Sequence, residues 1–142
     1  MLKKLAHIGI AVKDLERSLA LYRDVLGMHH EGTSAEPDRQ LEAAMLDCGG
    51  AHIELLRATS PDSVIARFIE KRGEGIHHVC FEVDDIRATL AALKAAGLQL
   101  VDEQPRPGVG GWLVAFVHPR SAGGVLLEVA ERPKKQPSTG SD

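Results

Sequence analysis

The chain has 142 residues, enough for one domain or for two small modules that share a core. Hydrophobic residues make up 44% and charged residues 26%, as in an ordinary globular protein. A formal net charge of -3 argues against a nucleic-acid partner, because phosphate binding needs a basic surface. The apolar runs are too short for a membrane span or a signal peptide. We interpret Cys48 and Cys80 as buried free thiols of a cytoplasmic protein.

An internal repeat is the most informative feature of the sequence. Residues 7–27 and residues 78–97 each begin with a histidine in an alternating strand and continue into a helix that ends at a glycine. An aspartate at the same place in each copy is suited to cap the helix, Asp14 in the first and Asp85 in the second. A repeat with matched caps and helix lengths indicates two modules of the same design.

Further strands follow each helix. The clearest candidates are 41–46, 51–56, 112–118 and 124–130, with a shorter strand expected near 28–33 and near 98–103. The sequence therefore predicts an α+β fold in which two tandem βαβββ modules form one curved mixed sheet. We expect one domain over 1–131, with modules of about 3–58 and 75–131, a linking helix over about 60–72, and a disordered tail over 132–142. In the linking helix, Ser60 is the predicted cap, Pro61 takes the first turn, and Val64 and Ile65 belong to the buried face.

Two histidines and two glutamates stand at matching places in the modules. His7 shares a strand face with Gly9 and Ala11, so little else fills the space around its imidazole. Glu54 and Glu128 each lie within an apolar strand, where a carboxylate is costly to bury unless it is paired or bound to a metal. The strand that starts the second module carries His78. If the two half-sheets meet at one cavity, the four side chains suit a divalent ion such as cobalt, nickel, manganese or zinc, with two octahedral positions open.

Three segments of the chain are distinctive: HIGIAVKDLERSLALYRDVLG, SPDSVIARFIEKRGEGIHH and the ending HPRSAGGVLLE. They resemble segments of the vicinal oxygen chelate superfamily and, within it, of the methylmalonyl-CoA epimerases. The resemblance covers about residues 3–131. It implies His7, His78 and Glu128 as metal ligands, with Glu54 at a further position that is Gln in some members and Glu in the lactoylglutathione lyases. It also implies a homodimer and an acyl-CoA substrate.

The activity that the resemblance implies is interconversion of (2R)- and (2S)-methylmalonyl-CoA through a metal-stabilised enolate, with cobalt the favoured ion. Epimerisation needs a proton to leave one face of C2 and another to reach the opposite face. Glu128 is the predicted group for one face, in addition to its role as a ligand. Some epimerases carry a second glutamate in the strand after the first helix, but Ala43 stands there in this chain. Glu42, its neighbour, is the candidate second base if a bulge turns it inward; a water held by His52 or Glu54 is the alternative.

Three other functions use related chemistry. A lactoylglutathione lyase would use the same four ligands and act on a glutathione adduct. A ring-cleaving dioxygenase would prefer iron with two histidines and one carboxylate, and a fourth protein ligand disfavours it. A metal-free binding or resistance module of the same fold would not need the complete set of four ligands.

Overall fold

A computed structural model describes residues 1–134 of the chain. Each predicted module has the order βαβββ. The first module contains β1 Leu2–Ala11, α1 Leu15–Leu19, β2 His29–Glu36, β3 Leu41–Asp47 and β4 His52–Ala58. The second contains β5 Gly75–Val83, α3 Ile86–Ala95, β6 Arg106–Pro107, β7 Leu113–Val117 and β8 Leu127–Glu131, and α2 Val64–Arg72 lies between the modules. The α+β fold predicted from the repeat is confirmed.

All eight strands belong to one mixed sheet, in the order β2-β3-β4-β1-β5-β8-β7-β6. The first strands of the two modules, β1 and β5, pair antiparallel at its centre. Each then pairs in parallel with the last strand of its own module, β1 with β4 and β5 with β8. The order on one side of the centre therefore repeats on the other side, as expected for two related modules.

The helices pack on the sheet where the repeat predicts them. Asp14 caps α1 by accepting a hydrogen bond from the Arg17 N–H, and Asp85 caps α3 by accepting one from the Ala88 N–H, both at 3.1 Å. After α1 the chain continues as a π-helical segment, Ala20–Val25, before it turns at Gly27. The buried residues of α1 join Ala44, Leu46 and Leu55 of the sheet in one core cluster, and α3 contributes Ile86 and Leu90 to another.

The linking helix begins later than the sequence indicated. Ser63, not Ser60, is the N-cap of α2, and its Oγ accepts a hydrogen bond from the Ile65 N–H at 3.2 Å. Ser60 and Pro61 instead form a turn, closed by the Ser63 N–H donating to the Ser60 carbonyl oxygen at 3.1 Å. The shift leaves Val64 55% exposed while Ile65 is buried, so Val64 is not part of the buried face.

The second module differs from the first in its short strand. The strand expected near 98–103 is replaced by a single bridge between Leu100 and Val117, and β6 follows at Arg106–Pro107. Pro105 and Pro107 lie in this segment and cannot donate backbone hydrogen bonds, which limits strand formation there.

Two other predictions concern the cysteines and the tail. Both cysteines are free thiols, but only Cys80 is buried; Cys48 is exposed because it lies in the turn after β3. Of the predicted tail 132–142, Arg132 donates a hydrogen bond to Glu82, and residues 135–142 lie outside the described part of the chain. Across residues 1–134, no helix has the length and apolar character needed to cross a lipid bilayer.

Candidate metal centre

The four predicted metal-binding side chains lie in two rows across the middle of the sheet. In one row Gly9 of β1 pairs with Glu54 on one side and with His78 on the other. In the second row Cys80 of β5 pairs with His7 and with Glu128. Paired residues on neighbouring strands share a face, so all four side chains project from the same side of the sheet. Each row joins a carboxylate of one module to the histidine of the other.

The ligand atoms converge on a small volume. The two Nε2 atoms of His7 and His78 are 3.0 Å apart. The Oε1 atom of Glu128 lies 3.3 Å from each of these nitrogens, and the Oε1 atom of Glu54 lies 3.5 Å from each. For bonds of about 2.1 Å to one ion, neighbouring ligand atoms lie about 3.0 to 3.4 Å apart in octahedral or tetrahedral geometry. The donor set and its spacing therefore fit a divalent metal ion.

Glycine at position 9 is required by the His78 ring. A Cβ atom placed on Gly9 would overlap three atoms of that imidazole. In the second row the equivalent place is taken by Cys80, which is buried beside Glu128. Burial and the nearby Glu128 carboxylate raise the pKa of the Cys80 thiol, so the sulfur stays protonated in the metal-free protein. The Cys80 sulfur nevertheless belongs to a group with His7 and Glu128 whose possible ligand atoms lie within 4.8 Å of one another.

Charges within the cluster stabilise one another in the metal-free protein. Burial alone would lower the pKa of His7, but its hydrogen bond to Glu128 and the charges of Glu54 and Glu128 outweigh this and raise it. Burial likewise favours the neutral form of Glu54, but the hydrogen bond to His78 and the charges of both histidines lower its pKa. Two carboxylates held close together in this way favour binding of a cation between them.

His77 contacts the outer nitrogen of His78. The two Nδ1 atoms are 3.0 Å apart, so one nitrogen donates and the other accepts. Burial and the nearby His78 lower the pKa of His77 to about 4, which makes its ring neutral and able to accept. A hydrogen bond from His78 Nδ1 to His77 would leave the His78 Nε2 lone pair facing the cluster. The His77 ring itself is packed edge-on against Phe68 of α2, with ring centroids 5.1 Å apart.

A cavity of about 450 Å³ opens beside the cluster and is large enough for a small organic group. Its lining includes His7 and Glu54, and it also includes His52, which the sequence analysis named as a possible holder of a catalytic water. His52 Nε2 lies 2.9 Å from the Glu31 carboxylate. The cavity therefore reaches the two proposed ligands of the first module, and residues of both modules line it.

Glu42, the predicted second base, is not brought to this cavity. It pairs across the strands with Arg57 and accepts a hydrogen bond from the Arg57 Nε–H. Met45 pairs with Glu54 and so faces the cluster, and strand alternation turns Glu42 to the opposite face. The strand pairing of β3 with β4 is regular from Leu41 to Asp47, so no bulge corrects the direction.

Besides Glu31, the cavity is lined by two acidic residues that were not predicted as site residues, Glu82 and Glu36. Glu82 is 3% exposed and accepts hydrogen bonds from the Arg132 guanidinium. Glu36, at the end of β2, lines the cavity beside Glu54, and burial together with the negative charges of Glu54 and Glu128 raises its pKa against the opposing effect of Arg39. No sequence motif identifies Glu36, because whether it shares a face with Glu54 depends on the register between β2 and β3.

Comparison with known proteins shows to which superfamily and family the chain belongs. Residues 6–116 match the sequence model of the glyoxalase/bleomycin resistance protein/dioxygenase superfamily, and the chain belongs to that superfamily. The human mitochondrial methylmalonyl-CoA epimerase is 36% identical over 131 residues, which are 92% of this chain and 74% of the relative. The chain is therefore a member of the methylmalonyl-CoA epimerase family.

Two further comparisons bear on the site. A structure of methylmalonyl-CoA epimerase in complex with methylmalonyl-CoA and NH4+ superposes with a TM-score of 0.84 at 31% identity, covering 92% of this chain and 95% of that one. The lactoylglutathione lyase of Haemophilus influenzae is 32% identical over 118 residues, covering 80% of this chain and 83% of the relative. The relatives of this chain therefore include proteins named for two different activities.

Proposed function

We propose that this protein interconverts the (2R) and (2S) epimers of methylmalonyl-CoA at a divalent metal ion bound by His7, Glu54, His78 and Glu128. The observation that carries the proposal is the convergence of these four side chains from the two modules, with Nε2 and Oε1 atoms 3.0 to 3.5 Å apart. The epimerase relatives support the substrate, since one of them was solved with methylmalonyl-CoA. The adjoining cavity has room for the acyl group.

The ion, when bound, supplies Lewis-acid stabilisation of the negative charge that develops on the thioester oxygen as C2 loses its proton. The protein residues do the remaining work. His77 keeps the His78 ring in position, and both His78 and Glu128 are buried. Glu128, whose side chain is 9% exposed, takes or returns the proton on one face of C2.

Proton exchange in D2O tests the proposal. Protein reconstituted with a divalent metal is mixed with methylmalonyl-CoA, and the C2 proton signal is followed by NMR. We expect the signal to disappear at a catalytic rate and the epimers to interconvert. A protein that carries metal but leaves the C2 proton in place would disprove the proposed activity.

A lactoylglutathione lyase is the second candidate, because the relative from Haemophilus influenzae and the glutamate at position 54 both favour it. Such an enzyme also removes a proton beside a carbonyl group, so the same ligands would serve. Turnover of the hemithioacetal of methylglyoxal and glutathione, together with no exchange of methylmalonyl-CoA, would support this candidate over the first.

The ion, the oligomeric state and the cellular location are further predictions. Nitrogen and oxygen donors in this number suit cobalt, with nickel, manganese and zinc as alternatives. Elemental analysis of protein purified from its native cells tests this prediction.

The likeness to the epimerases favours a homodimer, which light scattering after size-exclusion chromatography tests. Two free cysteines favour a reducing cytoplasm, and fractionation of the native cells tests that location.

A further inference from the structure

Epimerisation by two acid–base groups needs one on each side of C2. The ligand cluster holds two carboxylates, Glu54 and Glu128. Glu54 stands at a ligand position where some members of the family have Gln, which cannot act as a base, so we assign only Glu128 to proton transfer.

Glu128 comes from the second module. In the first module β3 presents Met45 to the cavity, and Ala43, on the same face, lines the hollow that adjoins it; neither side chain is ionisable. Glu42 faces away from the cavity and is held by Arg57. If the proposed function is correct, another group of the first module must face the substrate.

The strand register places Glu36 on the required face. Glu54 pairs with Met45, and Met45 pairs with Gly32 of β2, so these residues share one face of the sheet. Side chains two residues apart on a strand point to the same face. The next pair on this face is therefore Ala43 with Ser34, and the one after it is Leu41 with Glu36. Glu36 is therefore the diagonal neighbour of Ala43 and can reach the space that the small Ala43 side chain leaves.

Burial and contacts distinguish Glu36 from the other acidic residues of the cavity. Its side chain is 15% exposed, whereas that of Glu31 is 42% exposed and held 2.9 Å from His52. Glu82 is bound by Arg132 and comes from the second module, as Glu128 does. The one ion pair of Glu36 in the described structure is a 3.5 Å contact between its Oε1 and Nη1 of Arg39, which leaves the carboxylate available.

The backbone around Glu36 is fixed in a way that suits a functional group. Pro37 restricts the preceding residue to extended conformations. Gln40, which closes the turn, has a φ of 56°, a left-handed conformation that is unfavourable for a side-chain-bearing residue. This turn brings Arg39 back beside Glu36, and both line the cavity with Glu54.

We propose that Glu36 is the second acid–base residue, acting on the face of C2 opposite to Glu128. Glu36 exchanges a proton with one epimer, and Glu128 exchanges a proton with the other. In one direction Glu36 removes the C2 proton, the electron pair moves into the thioester carbonyl, and Glu128 delivers a proton to the opposite face as the carbonyl is restored. The reverse direction exchanges the two roles. The inference rests on the proposed function.

The test uses each epimer separately in D2O, with metal-loaded wild-type protein, Glu36→Gln and the matched control Glu42→Gln. We expect Glu36→Gln to lower interconversion roughly 100-fold or more, the usual contribution of a general acid–base group. It should still exchange the C2 proton of one epimer, the one whose proton faces Glu128. Glu42→Gln should behave as wild type, and all three proteins should contain the same amount of metal.

A second variant separates loss of the carboxylate from damage to the fold. Glu36→Asp keeps the charge on a side chain one methylene shorter, and we expect it to retain part of the interconversion that Glu36→Gln loses. Interconversion at the wild-type rate in Glu36→Gln, or loss of exchange from both epimers alike, would overturn the role of Glu36. A wild-type protein that exchanges neither epimer would overturn the proposed function and this inference with it.

Discussion

At the scale of single residues, Gly9 determines how closely two strands can bring the histidine rings together. Its backbone lies where the His78 imidazole passes over β1, and any side chain there would displace the ring. Because His78 Nε2 must stay 3.0 Å from His7 Nε2 to share an ion, a shift of the ring should weaken binding. The small residue is therefore part of the site although it has no ligand atom.

Gly9→Ala is expected to weaken metal affinity at least about tenfold, the lower end of the range seen when the support of a ligand is lost. Titration of the apoprotein with cobalt, followed by absorption or calorimetry, measures the effect. Gly108→Ala is the matched control, since its new methyl group would contact Val114 and Trp112 and not a proposed ligand. Unchanged affinity in Gly9→Ala would contradict the steric argument.

The two carboxylate ligands should respond differently to the same change. Glu54→Gln keeps an oxygen ligand, and the family resemblance has Gln at this position in some members, so metal content should stay near one ion per chain. Glu128→Gln removes the group proposed to move the proton, so C2 exchange at its face should fall roughly 100-fold or more. Metal analysis and NMR measurement of C2 exchange on both variants check this prediction. Equal losses of C2 exchange in Glu54→Gln and Glu128→Gln would refute it.

His77 offers a third residue-scale prediction. His77→Phe keeps an aromatic ring against Phe68 but removes the nitrogen that lies 3.0 Å from His78 Nδ1. Loss of such a partner usually weakens metal binding about 10- to 100-fold, and we expect a drop in this range. His30→Phe is the control, because His30 is bonded to Thr33 outside the cluster. Competition with a coloured chelator gives both affinities.

At the scale of the elements, an aspartate caps the corresponding helix in each module, and each helix packs on the sheet of its own module. Asp14 and Asp85 each accept a backbone hydrogen bond of 3.1 Å at the start of a helix. The helices α1 and α3 pack in separate core clusters. The two caps should therefore stabilise the fold independently of each other.

Asp14→Ala and Asp85→Ala are each expected to lower the free energy of unfolding by about 1 kcal/mol, and the double variant by about the sum. Urea denaturation of the apoprotein measures the three values. Asp84→Ala serves as the control, because its exposed carboxylate only approaches the N-terminal amine at 3.4 Å, and its effect should stay within about 0.5 kcal/mol. A double variant far from the sum would show that the modules are coupled through their helices.

At the scale of the whole molecule, the proposed metal joins the two modules. His7 and Glu54 belong to the first, and His78 and Glu128 to the second, while the backbone junction is the pairing of β1 with β5. An ion bound only by the folded protein stabilises it by about 2.7 kcal/mol at a concentration 100 times its dissociation constant. Removing the ion should therefore affect stability as well as activity.

Chelation is expected to lower the melting temperature and abolish C2 exchange, and addition of cobalt should restore both. Differential scanning calorimetry with and without a chelator measures the first effect. His78→Ala is the control, because a protein without this ligand should show little metal-dependent stabilisation. A melting temperature that does not respond to metal in the wild type would contradict a shared site between the modules.

Much of this organisation can be predicted from the sequence because its signals are local. Alternation with a period of two assigns His7 and His78 to strand faces, aspartates mark the helix starts, and the repeat indicates which positions correspond. Features that depend on flanking contacts are less predictable. The N-cap of α2 is Ser63 and not the predicted Ser60, because residues 60–63 form a turn. Cys48 is exposed because the strand before it ends at Asp47.

The sequence by itself determined the two modules, the α+β class and the four side chains proposed to bind metal. Only the tertiary structure decided that each carboxylate lies in a row with the histidine of the other module, and that Glu36 rather than Glu42 faces the cavity. The physical reason is that side-chain alternation is a property of each strand alone. Which strands become neighbours, and in which register, depends on contacts between residues as far apart as His7 and His78, and no local pattern specifies them.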